Sequence, residues 1–149
     1  MPKFIIQIIS LFIFSATVCS TSCYGYAHQH NESSYQHAWC KRHNGIEEYE
    51  NKDKTRVDCL TEHHAVEFDF ANKWAESIGQ ALHYQRMTGK KAMVVLILEN
   101  PKKEIVYFHR VRELAKIHNF DVEYVTPAIL NIGKNGKCPY FDCKCNKNK

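Results

Sequence analysis

The chain is short of three things: charge of one sign, internal repeats, and any apolar run long enough to cross a membrane comfortably. With 20 Lys+Arg against 16 Asp+Glu, the net charge is only +4. That mildly basic balance permits nucleic-acid binding without arguing for it. The absence of a repeat sets aside stacked-repeat architectures. At 149 residues there is room for one domain with one core, not for two.

The longest apolar run, "FIIQIISLFIFSATV", follows Lys3 and falls short of the roughly 20 residues of a comfortable span. A basic start, an apolar stretch of this length and the small residues "CSTS" form the layout of a secretory signal peptide over residues 1–20. Cleavage near Ser20 or Ser22 would fit, and an uncleaved anchor is the alternative. The expected location is secreted or periplasmic, with no stable membrane association after cleavage. Removing this segment takes away one base, Lys3, and no acid, so the remainder stays mildly basic.

Six cysteines follow Ser20: Cys23, Cys40, Cys59, Cys138, Cys143 and Cys145. An even number in an exported chain points to disulfides, with pairings that sequence cannot separate. The terminal "CPYFDCKC" has the look of a metal clip but lacks the paired CxxC of a zinc ribbon, so disulfides rank ahead of zinc there.

Along the chain, residues 21–33 read as a flexible polar leader whose histidines bind metal only weakly, 34–130 as an α/β domain, and 131–149 as a cysteine-rich tail. Within the domain, "SYQHAWCKRHNG" reads as a helix with Ser33 or Ser34 as N-cap and Gly45 as stop. "IEEYEN", "TRVDCLT" and "HAVEFDF" read as three strands. A helix is expected from about Asn72 to Met87. "AMVVLILE", apolar throughout, reads as a strand covered on both faces and ended by Pro101. A helix from about Glu104 to His118 and the strand "DVEYVT" follow. Early strands in hairpin-like succession pair antiparallel, and strand–helix–strand units cross over in parallel. The fold class expected is therefore α/β: a mixed central sheet flanked by helices, with an αβββαβ core followed by a helix and a further strand.

Acids stand out in the strands. Glu67 and Asp69 share one face of the third strand, roughly 6.5 Å apart, while Val66, Phe68 and Phe70 point into the core. If the second strand pairs with the third, Asp58 sits across from one of them, in a cluster at one sheet edge. Like charges that close repel and push pKa values up, and a divalent cation with oxygen preference, Mg²⁺ or Mn²⁺, removes the conflict. On the following helix, at roughly 100° per residue, Lys73, Ser77, Gln80 and Tyr84 fall in one stripe beside the apolar face of Trp74, Ile78, Ala81 and Leu82. Lys73 would neutralise charge on a phosphate, and Gln80 and Tyr84 would hold the substrate backbone.

There are plainer readings. Asp58 could cap a backbone amide. Glu67 and Asp69 could be the solvated face of an edge strand. Lys90, Lys91, Lys102 and Lys103, around the apolar strand, read as gatekeepers against aggregation ahead of phosphate contacts.

The element order from about Ser34 to Glu99, with Asp58 on the second strand and Glu67-Phe68-Asp69 on the third, resembles the PD-(D/E)XK nuclease superfamily, the restriction-endonuclease-like fold. Many of its members carry a glutamine and a tyrosine on the next helix, which Gln80 and Tyr84 match. Two departures stand out: Asp69 occupies the lysine position, which makes Lys73 the candidate replacement, and Val57 stands where a proline often precedes the aspartate. The resemblance implies a Mg²⁺- or Mn²⁺-dependent hydrolase of nucleic-acid phosphodiester bonds. Asp58, Glu67 and Asp69 would be the metal ligands, with Lys73, Gln80 and Tyr84 completing the catalytic site. The alternative is an exported binding protein that retains the scaffold without catalysis.

Overall fold

Two periodicities organise the chain: alternation in the strands and a continuous apolar run in the one strand buried on both faces. The computed structural model describes residues 28–133 together with Cys138 and Cys143. The expected signal peptide and most of the tail lie outside these residues. Helix α1 (Glu32–Arg42) leads into β1 (Ile46–Glu50), β2 (Arg56–Leu60) and β3 (His64–Phe70). A single 3₁₀ turn (Ala71–Lys73) opens α2 (Trp74–Thr88), followed by β4 (Lys91–Ile97), α3 (Pro101–His118), β5 (Asp121–Val125) and the short α4 (Pro127–Leu130).

The five strands form one mixed sheet in sequence order, β1 to β5. The β1–β2 and β2–β3 pairs are antiparallel, and the β3–β4 and β4–β5 pairs are parallel. Helices cover both faces. On one, Tyr35 and Trp39 of α1 pack on Val66, Phe68, Phe70, Val95, Ile97 and Val125. On the other, Ala81 of α2 and Val111 and Ala115 of α3 share a core with Ala92, Val94 and Leu96. Strand β4 feeds both layers, which is why it shows no alternation. The fold is thus α/β with a five-stranded mixed sheet flanked by helices.

Several boundaries differ from the sequence expectation, each for a local reason. Helix α1 begins at Glu32 behind Asn31, not behind Ser33 or Ser34, and Ser34 is fully buried. Residues 28–30 are drawn into the fold by Glu99, which accepts the backbone N–H groups of Gln29 (2.9 Å) and His30 (3.1 Å) and the Tyr35 hydroxyl (2.7 Å). These donors hold the Glu99 carboxyl below its ordinary range against the opposing effect of burial. Pro101 opens α3 instead of merely ending β4, since its fixed φ and missing N–H suit the first helical position. Leu82, expected on the packed face of α2, is exposed.

A disulfide, Cys40–Cys59, ties α1 to β2. Gly45 is required by it: a Cβ there would lie 2.3 Å from the Cys59 sulfur and 2.7 Å from that of Cys40. The bridge is compatible with an oxidising, extracytoplasmic location. Among the described residues, no helix is long and apolar enough to cross a membrane.

Candidate functional site

Alternation sends Val66, Phe68 and Phe70 toward α1 and leaves Glu67 and Asp69 on the opposite face of β3. These two acids are only 4% and 3% exposed. Strand β3 is the middle strand, paired on both sides, so the solvated face of an edge strand does not account for them. The cluster accordingly lies within the sheet and not at its edge.

Asp58 reaches the same place from β2. The register Cys59↔Val66 sets Asp58 beside Glu67. Pairing between β2 and β3 stops there, although β2 continues along β1 to Arg56. At the point of departure the Asp58 Oδ2 accepts the Phe68 N–H at 2.7 Å, a side chain replacing a strand carbonyl. Asp58 therefore does cap a backbone amide, as the plain reading has it, and also meets the Glu67 carboxyl.

A fourth acid, Glu32 at the first turn of α1, contacts Asp69. Sequence reasoning missed it because it lies in the polar "HNESS" stretch, with no periodicity linking it to β3. The one available signal was its position as an acid opening a helix, where the helix dipole favours negative charge.

Electrostatics mark the four carboxyls as a unit. Burial, then repulsion from Asp69 and Asp58, raises Glu32 to about 8. Burial, then the charge of Asp58, raises Glu67 to about 10. Asp58 rises less, to about 6, because burial is opposed by its bonds from Phe68 and Glu67. The contact between them favours the proton on Glu67 and the charge on Asp58. Asp69 is raised by burial against the pull of Lys73. One carboxylate oxygen, Glu67 Oε2, is buried with no hydrogen-bond partner among the described residues. Such an orphan in a native core calls for an explanation.

Lys73 closes the 3₁₀ turn and places its Nζ 3.4 Å from Asp69 Oδ1. Its side chain is half exposed, and Asp69 holds its charge firmly on. Tyr84 is buried on α2, where burial and the charges of Glu67 and Asp58 keep its phenol protonated. Gln80 is half-buried one turn earlier. The helix stripe inferred from spacing thus brings Lys73 and Tyr84 to the acids, and Gln80 lies between them along the helix.

An all-oxygen donor set with an orphaned buried oxygen suits a hard divalent cation. The acids are nonetheless joined in pairs, Asp58 with Glu67 and Glu32 with Asp69. Among the described residues, the trio whose ligand atoms all lie within 4.8 Å of one another is a different one: His30, Cys138 and Cys143. A cleft of about 680 Å³, lined by His37, Lys41, Arg42, Leu130 and Asn131, also lies away from the acids. It offers volume without buried charge, whereas perturbed acids mark functional sites more often than volume alone does. Comparison of the chain with protein-family models, curated proteins and solved structures finds no match.

Proposed function

We propose that this chain is an exported, metal-dependent hydrolase of nucleic-acid phosphodiester bonds, built on a restriction-endonuclease-like αβββαβ core. The observation that carries this reading is the group of buried acids on the central strands, with Glu67 Oε2 unpartnered among the described residues. Ionising Glu67 in the core would cost several kcal/mol, which is why it holds its proton, and a bound cation would offset that cost. Asp58, Glu67 and Asp69 would hold Mg²⁺ or Mn²⁺, with Glu32 closing the site from α1. The ion supplies a water of lowered pKa and charge neutralisation at the phosphoryl oxygens.

The chain's own groups do the rest. Lys73, half exposed and 3.4 Å from Asp69, faces an incoming phosphate as a fixed positive charge. Tyr84, kept protonated, orients Glu67. Gln80 contacts the backbone of the bound strand. Lys91 is engaged with Asp121 and so belongs to the sheet edge, not to phosphate binding.

The test is cleavage of duplex DNA, single-stranded DNA and RNA by the purified chain in Mg²⁺, Mn²⁺ or EDTA, beside Glu67→Gln. Metal-dependent cleavage that falls by about 100-fold or more in the variant is expected. Cleavage that survives the substitution overturns the site. The second reading, a binding protein that keeps the scaffold, is favoured by one observation: a buried acid, Asp69, stands where the superfamily has its strand lysine. Absence of cleavage by folded protein in either metal would select it.

A further inference from the structure

The geometry points to a second metal site of opposite chemical character: a zinc ion held by His30, Cys138 and Cys143, pinning the C-terminal tail to the segment before α1. All three side chains belong to buried residues, exposed by 8%, 7% and 0% respectively. Their ligand atoms lie within 4.8 Å of one another, and His30 Nδ1 is 3.9 Å from Cys143 Sγ. Zinc bonds near 2.3 Å to sulfur and 2.0 Å to nitrogen, at tetrahedral angles, separate neighbouring ligand atoms by roughly 3.6 Å. Closing around an ion therefore requires only small side-chain movement.

The surroundings hold the imidazole as a ligand needs to be held. Glu99 fixes the His30 backbone through its N–H. The Tyr35 ring packs edge-on, 5.9 Å between centroids. Gly133, at φ +74°, lies against the same ring: a Cβ there would come within 3.2 Å of both Cε1 and Nε2. The position is left-handed as well as crowded, so glycine is suited to it twice over.

Donor chemistry separates this site from the carboxylate group. Two thiolates and an imidazole select zinc among abundant cations, while oxygen-only donors select Mg²⁺ or Mn²⁺. Thiolates bound to zinc are also withheld from oxidation, which lets them persist in a chain carrying the Cys40–Cys59 disulfide. The competing state of the same atoms is a Cys138–Cys143 disulfide, formed by losing two protons and two electrons to an external oxidant.

The test is elemental analysis and native mass spectrometry of the full chain, recovered after export without chelators. Expected is about one zinc per chain, unchanged in Glu67→Gln and reduced at least about tenfold in His30→Ala and in Cys143→Ser. Cobalt substitution should give a sulfur-to-metal charge-transfer band that weakens in Cys143→Ser. Should either variant fail to fold, the wild-type chain decides. A strong zinc chelator must then release the metal and lower the melting temperature, and peptide mapping must find Cys138 and Cys143 as thiols. A Cys138–Cys143 disulfide, or a chain that takes up no zinc when zinc is supplied, overturns the site. Neither result bears on the nuclease reading, which depends on other residues and another ion.

Discussion

Glu67→Gln should stabilise the protein in the absence of divalent metal, and the gain should grow with pH. The folded-state pKa of Glu67 is raised by burial and by Asp58 from 4.5 to about 10. Between those values the folded chain holds a proton that the unfolded chain releases, so stability falls as pH rises through this window. At pH 7 the chain is about 2.5 pH units above the ordinary value, a loss of about 3 kcal/mol relative to acid conditions. Glutamine is neutral throughout, keeps the volume, and can donate to Asp58. Its advantage should therefore be close to nil near pH 4.5 and about 2–3 kcal/mol at pH 7, on the order of 10 °C in melting temperature. The assay is thermal unfolding by circular dichroism in EDTA at pH 4.5, 7 and 8.5. Adding Mg²⁺ should then raise the wild-type midpoint more than the variant's. A variant that melts below wild type at pH 8.5, or by the same margin at every pH, would refute the reasoning.

Three other outcomes follow from the geometry. Lys73→Met should lower the melting temperature by several degrees, about 1 kcal/mol, because it takes the cation from the buried Asp69, and should cut metal-dependent cleavage by about 100-fold. Gly45→Ala should cost about 1–3 kcal/mol by pressing a methyl group on the disulfide. In a Cys40→Ala/Cys59→Ala background that cost should largely vanish, a coupling that a mutant cycle measures by chemical denaturation. Reducing the Cys40–Cys59 bridge, which spans 19 residues, should remove about 3 kcal/mol, read from the denaturation midpoint with and without reductant.

The order of elements was legible because each carries its own period. "HAVEFDF" alternates, "AMVVLIL" does not, and the helix after the acids stops at Gly89. That alternation also predicted which face Glu67 and Asp69 share, and the i, i+4 spacing placed Lys73 beside Asp69. What stayed hidden was long-range. Glu32 and His30 sit in a stretch whose composition reads as solvated, and tertiary contacts, among them those to Asp69, Glu99 and Tyr35, draw them inward. The central position of β3 was equally invisible, since no strand announces how many neighbours it has. Leu82 misled for the opposite reason: an apolar residue next to a packed stripe looks buried in projection, although it is exposed.

The substitution of Asp58 Oδ2 for a strand carbonyl at the Phe68 N–H equips the sheet with an internal reporter. The amide resonance of Phe68 should shift as that carboxylate gains or loses its proton, and again if a cation withdraws electron density from it. One peak in a nitrogen–proton correlation spectrum would then follow the charge state of Asp58, without any substrate present.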